Sequence, residues 1–288
     1  MKKVILITIS IFLLSFSNIN AQFGIGSPKV IEEIKQSKLM VVLFDEAFDY
    51  NDFIQQYVEK NWLYGEYEFI KEDDLEQYEK RKDLFFLALT TTSAGLPSNQ
   101  FYNINITIST RSKLYYGWGD KAIVSIVPTG LSAASEISQE RFDSYLKVLF
   151  DTLKEFETNK LELVKGKKVA KYYNPQNDVS SFKNKELLIP ISSTMNAYKA
   201  SEIKKYYTKK FRIVKDGELG ELMAEDEGQF IYLHAYQQGP SVIYFLFDIE
   251  QNKMVYYGNQ PEGMVMSGVT NIKSTYKKML KDLEEVMN

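Results

Sequence analysis

Lys38-Leu39-Met40-Val41-Val42-Leu43 is a short apolar run opened by a lysine, and Lys185-Glu186-Leu187-Leu188-Ile189-Pro190 resembles it at an offset of 147 residues. Both have strand length, and both precede a stretch of helical period. In that stretch Ile54-Gln55-Gln56-Tyr57-Val58-Glu59-Lys60 matches Ile203-Lys204-Lys205-Tyr206-Tyr207-Thr208-Lys209 at an offset of 149. Further along, Phe69-Ile70-Lys71 with Leu75 matches Ile213-Val214-Lys215 with Leu219 at 144, and the run 85–89 matches 230–234 at 145. Ile104, Ile106 and Ile108 align with Phe245, Phe247 and Ile249, and Tyr115-Tyr116-Gly117 with Tyr256-Tyr257-Gly258, all at 141. The matches are collinear and the offset moves only where loops fall, which points to internal duplication. Convergent patterning of two α/β units is the alternative.

Each unit reads as β-α-β-α-β-β-β-α. In the first, strands are predicted at 40–44, 67–70, 84–89, 102–109 and 113–118, with helices at 51–61, 72–80 and 138–158. In the second, strands fall at 186–191, 211–214, 229–235, 241–249 and 253–258, with helices at 198–209, 216–224 and beyond Asn271. Ser27-Pro28 opens one more helix, with proline at the first helical position. The helix from Ser138, its expected N-cap, carries Phe142, Tyr145, Leu146, Leu149, Leu153 and Phe156 on one face. This order defines an α/β (α+β) fold with mixed sheets, two parallel crossovers preceding antiparallel hairpins. It resembles the thioredoxin-like arrangement in element order only, because that redox motif requires two cysteines and the chain has none. The first unit is placed at 22–158 and the second at 185–288, joined by a linker at 159–184 that carries Asn174-Pro175 and Asn177-Asp178.

The N-terminus reads as a secretory signal. Lys2 and Lys3 precede an apolar stretch from Val4 to Phe16, and Ala21 offers a small residue for cleavage, so residues 1–21 are expected to be removed. The stretch is short for a membrane span. The Asn20-Ala21-Gln22 junction resembles export signals of Bacteroidota. Loss of the two lysines takes the net charge from −3 to −5. The expected mature chain is periplasmic or extracellular, soluble and without a transmembrane segment.

The 288 residues include no cysteine and one histidine, with 44% hydrophobic and 25% charged residues. Disorder would need fewer apolar residues and more net charge. Disulfide scaffolds, iron–sulfur clusters, thiolate zinc sites and cysteine nucleophiles are excluded by composition. A Ser-His-Asp triad would have to use His234. That residue aligns with Leu89 at the end of an apolar strand, where packing against aromatic neighbours competes with a general-base role.

In open α/β sheets, ligands gather at the carboxyl ends of parallel strands. Asp45 and Asp49 follow the first strand there, and read either as a carboxylate pair for hydrolysis or as helix-capping groups. The corresponding loop of the second unit is rich in hydroxyls, at Ser192-Ser193-Thr194. No spacing matches a calcium loop, and no glycine has the strand–Gly–helix setting of a phosphate cradle, so no metal or cofactor is indicated.

The aromatic surplus, 20 Tyr and 18 Phe, suggests contact more than catalysis. Tyr115, Tyr116, Trp118, Tyr256 and Tyr257 are the candidate contact residues, since neighbouring strand residues point to opposite faces. Lys204, Lys205, Lys209, Lys210, Arg212 and Lys215 form the densest basic run, read as a solvated face suited to anionic glycans or lipid headgroups rather than nucleic acid. The sequence therefore favours a non-enzymatic binding protein acting on a protein or glycan of the cell envelope. A hydrolase using Asp45 and Asp49 is the alternative.

Overall fold

The structure is a computed structural model that describes residues 28–45, 48–78, 81, 83–94, 101–110, 123–128, 138–159, 179–194, 198–225, 228–238, 241–251, 253–261 and 272–288. The expected signal segment, most of the expected linker and Asn271 lie outside them. The fold is mixed α/β, with two five-stranded mixed sheets.

In chain order the first half holds α1 (Pro28–Lys35), β1 (Lys38–Leu43), α2 (Phe48–Asn61), β2 (Tyr67–Lys71), α3 (Leu75–Tyr78), β3 (Leu84–Ala94), β4 (Phe101–Ser109), β5 (Ile123–Pro128) and α4 (Gln139–Asn159). The second holds β6 (Glu186–Pro190), α5 (Ile191–Thr194), α6 (Ala200–Ile203), β7 (Phe211–Val214), α7 (Asp216–Ala224), β8 (Phe230–Gln238), β9 (Ser241–Asp248), β10 (Lys253–Pro261) and α8 (Ile272–Val286). The first sheet runs β2-β1-β3-β4-β5 and the second β7-β6-β8-β9-β10, the same order unit for unit. In each, the first strand lies parallel to its two neighbours and the last pairs are antiparallel.

Two details differ from the sequence reading. The fifth strand of the first sheet is Ile123–Pro128, which pairs with β4 through a bulge at Ile108/Ser109; the expected strand at 113–118 lies outside the described residues. The helix expected over 198–209 is helical only at Ala200–Ile203 and continues as turns.

Aligned residues do not share faces. Leu39, Val41, Phe85, Leu87, Ile106 and Ile108 pack under α1, α2 and α4. On the second sheet the side covered by its own α6 and α8 carries Leu187, Ile189, Ile231, Leu233, Tyr244 and Leu246. Phe245 and Phe247, matched to Ile104 and Ile106 in the self-comparison, lie on the side away from α6 and α8. A one-residue change of register turns every strand side chain over, so the sequence match follows strand order but not facing.

The opposite side of the second sheet joins the core of the first. Leu188, Val214, Tyr232, Ile243, Phe245, Phe247, Met254 and Tyr257 belong to the same buried cluster as α1, α2 and α4. The layers therefore run α3, first sheet, then α1, α2, α4 and α7, then second sheet, then α6 and α8. α4 lies at the centre and touches β4 and β5 on one side, β10 and α7 on the other. Ser138 does not cap it by side chain: its hydroxyl is buried without a hydrogen bond, and a Cβ on Gly220 of α7 would stand 2.6 Å from it. That glycine lets the two helices approach closely.

Candidate functional site

Burial on both sides explains the composition of α4. Arg141, Phe142, Ser144, Tyr145, Leu146, Val148, Leu149, Phe150, Thr152 and Leu153 are all buried, so the helix has almost no solvent face. One stripe stays open, Asp143, Lys147, Asp151 and Lys154, at helical spacing and alternating in sign. α2 runs beside this stripe, and between them lies a cavity of about 500 Å³.

From α2 the cavity is lined by Gln56, Tyr57, Lys60 and Asn61, and from the following turn by Leu63 and Tyr64. Its floor is aromatic. Tyr57 meets Phe150 edge-on at 5.5 Å between centroids, and Trp62 contacts Phe150 at 5.4 Å and Tyr64 at 5.3 Å. Gln139 Nε2 donates to Gln56 Oε1 across one end at 3.4 Å. Leu63 stands at the rim, 85% exposed.

The electrostatics are those of a half-desolvated channel. Burial pushes the Asp143 carboxyl up to about 6, Glu140 adding and Lys60 opposing. Burial also raises the Tyr57 phenol, with Asp151 and Asp143 adding, and takes the Tyr64 phenol to about 12. Lys147 Nζ pairs with Asp151 Oδ2 at 2.6 Å; Lys60 and Lys154 have no ion-pair partner among the described residues. The channel thus presents two tyrosine rings, three ammonium groups and two carboxylates, with Lys147 and Asp151 paired. Among the described residues its lining has no serine, threonine, cysteine or histidine.

None of the residues singled out from sequence lines this channel. Asp45 and Asp49 are exposed near β1 and the start of α2. Beside them, Asn51 bonds both backbone groups of Phe44, receiving from its N–H at 2.9 Å and donating to its carbonyl at 2.8 Å. The hydroxyl-rich loop of the second unit is structural at Ser193, whose buried Oγ donates to the Leu233 carbonyl at 3.0 Å and accepts from the Ala235 N–H at 3.1 Å.

His234 is 1% exposed, in the seam between α4 and the second sheet. Its Nδ1 lies 3.0 Å from the Tyr145 hydroxyl, which accepts from Arg141 Nη2 at 3.0 Å. The imidazole packs on Phe245 at 4.3 Å and on Tyr145 at 5.1 Å. This buried chain bridges the two halves, with Arg141, Tyr145 and His234 all buried.

Tyr257 is fully buried in the central core, which removes it as a contact residue. Tyr256 is half-buried, and its hydroxyl donates to Asp282 Oδ2 at 2.8 Å. Tyr115, Tyr116 and Trp118 lie outside the described residues. Among the described residues no group of three or more acidic, histidine or cysteine side chains is placed to hold a metal ion, and no helix is long and apolar enough to cross a membrane.

The channel residues were not identified from sequence because the apolar stripe of α4 drew the reading. The available signal was the charged stripe Asp143, Lys147, Asp151 and Lys154 at helical spacing. No family model matches this chain, and no curated protein or solved structure matches it either.

Proposed function

We propose that this is an exported, non-enzymatic binding protein whose contact surface is the channel between α2 and α4. The observation that carries the reading is Leu63, an aliphatic side chain held 85% exposed at the rim of an aromatic-floored channel. From Gln139 to Lys154 the channel follows α4 for about 22 Å. That length suits a chain-like ligand of the cell envelope, a protein segment or a glycan strand, laid across Tyr57 and Tyr64.

Two further elements belong to the same proposal. The N-terminal pattern of charge, apolar stretch and small residue supports export with cleavage after Ala21. The shared strand order supports descent of both halves from one β-α-β-α-β-β-β-α unit, thioredoxin-like in order, with boundaries near 158 and 185.

The test is capture from envelope extracts on the immobilised wild-type chain beside a Leu63→Glu, Tyr57→Ala variant. Species held by the wild type and released by the variant support the channel, and digestion with protease or glycosidase identifies their class. Turnover of ester, glycoside or phosphoester substrates that disappears in Asp45→Asn and Asp49→Asn variants would establish the hydrolase instead.

A further inference from the structure

The second sheet is covered on its outer side by two segments, 198–210 and 272–288. Together they carry nine lysines against four carboxylates, a balance of +5 that leaves −8 on the rest of a chain whose total is −3. The lysines are Lys199, Lys204, Lys205, Lys209 and Lys210 in the first segment, and Lys273, Lys277, Lys278 and Lys281 on α8. Lys209 is half-buried and the others are exposed. Their sequence spacing already separates them from the core: α8 buries Tyr276, Met279, Leu280 and Leu283, so Lys273, Lys277 and Lys281 share the opposite side.

The two segments form one surface. The Lys277 ammonium lies 5.0 Å from the centre of the Tyr206 ring, and the Tyr198 hydroxyl donates to the Lys273 carbonyl. Thr208 donates to Glu284 through both its backbone N–H and its hydroxyl, each at 2.7 Å. Three of the four carboxylates already accept hydrogen bonds within these segments or from β9 and β10. Glu284 accepts those bonds, Glu202 accepts the Lys199 N–H at 3.0 Å, and Asp282 accepts from Tyr244 and Tyr256. Among the described residues none of the nine ammonium groups lies within ion-pair distance of a carboxylate; Lys199, Lys205 and Lys273 act on Glu202, and Lys209 on Glu284, at longer range.

We propose that this lysine face docks the protein on an anionic membrane surface. The charge pattern fits a fluid array of headgroups better than a fixed anion. Lysine is a hydrated point charge on a flexible stem, whereas arginine supplies the rigid fork that grips one carboxylate or phosphate. The one arginine nearby is already engaged, Arg212 donating to Glu186 at 3.0 Å with its guanidinium 5.5 Å from the Phe230 ring centre. Half-buried Tyr198 and Tyr206 lie among the lysines, and tyrosine suits the depth of headgroups. Meeting a membrane rests on the exported location proposed above, but the affinity itself does not depend on the channel.

The test is sedimentation of the full chain with phosphatidylglycerol-containing vesicles and with phosphatidylcholine vesicles. Binding to the first, lost on raising salt and absent with the second, is expected. Each lysine near an anionic surface is worth about fivefold, so Lys273→Gln, Lys277→Gln, Lys281→Gln together weaken binding about a hundredfold. Lys199→Gln, Lys205→Gln, Lys209→Gln provides a second variant, of similar effect, should the first fail to fold. Leu63→Glu leaves vesicle binding unchanged, which separates this face from the channel. Equal binding to both vesicles, no binding to either, or a folded triple variant that binds as the wild type overturns the proposal. Soluble polyphosphate or a sulfated glycan bound more tightly than the anionic vesicles also overturns it, in favour of a polyanion.

Discussion

Gly258 on β10 lies directly under the ring of Tyr244 on β9. A Cβ at that position would stand 2.1 Å from Tyr244 Cζ and 2.4 Å from Cε2, well inside contact distance. The absence of a side chain there is what lets Tyr244 reach across to Asp282 on α8 and receive Gln260 Nε2 at 3.3 Å. Gly258→Ala is therefore expected to destabilise the protein by about 3 kcal/mol through overpacking. Denaturant unfolding measures the loss, and in a Tyr244→Ala background the same substitution should cost far less.

Asp143 gives a pH dependence of defined sign. Its carboxyl is raised from 3.8 to about 6, so folding favours the protonated form. The resulting stability is fully present below 3.8 and is lost as pH rises through about 6. Asp143→Asn removes that loss. Relative to the wild type, the variant should gain stability between acid and neutral pH, by at most about 3 kcal/mol before solvent screening reduces it. Unfolding midpoints measured against pH decide this, and a constant difference would refute it.

The pair Lys185 and Asp248 locks the turn between β9 and β10 to the start of β6. Asp248 is fully buried, and its Oδ1 accepts from Lys185 Nζ at 2.9 Å and from the Gln251 N–H at 3.2 Å. Lys185→Met leaves a buried carboxylate without its counter-charge and is expected to cost about 3–5 kcal/mol. Adding Asp248→Asn should recover much of that loss, which chemical denaturation of the single and double variants would reveal.

Ser193→Ala strips partners from two buried backbone groups of β8, at Leu233 and Ala235. A cost of about 1–3 kcal/mol is expected. Amide exchange locates it: the Ala235 N–H should lose protection before its neighbours do.

His234 is a unique spectroscopic probe, since the chain has one histidine. Tyr145 already accepts from Arg141, so its own proton is expected to point towards His234 Nδ1. The imidazole is then expected as the tautomer protonated at Nε2. Nitrogen chemical shifts report the tautomer, and Tyr145→Phe should erode the preference.

The mixed α/β class and the change from parallel to antiparallel pairing were readable from sequence because each strand carries its own apolar signature. β5 was not assigned, although Ile123-Val124-Ser125-Ile126-Val127 is apolar enough, because the tyrosine-rich run before it took the hairpin position. Facing was not legible for β9, whose residues from 242 to 247 are apolar on both sides and so carry no alternation to fix the register. The channel was beyond a local reading for a different reason. Periodicity shows which stripe of α4 avoids water, but the open stripe becomes a site only through α2, some eighty residues earlier in the chain. The lysine face was half legible: its first segment is contiguous, while α8 contributes from the far end of the sequence.

The position of α4 makes each half the solvent shield of the other. Its Tyr145 side meets His234 while Phe142 meets Tyr50 and Phe53, so one helix completes two cores at once. A backbone break between Asn159 and Val179 would leave two chains that each expose an apolar surface shaped for the other. They should reassemble without a covalent join, as fragment complementation, and neither should persist as a folded monomer alone. Because both halves contribute to one buried cluster, they are expected to unfold in a single cooperative event.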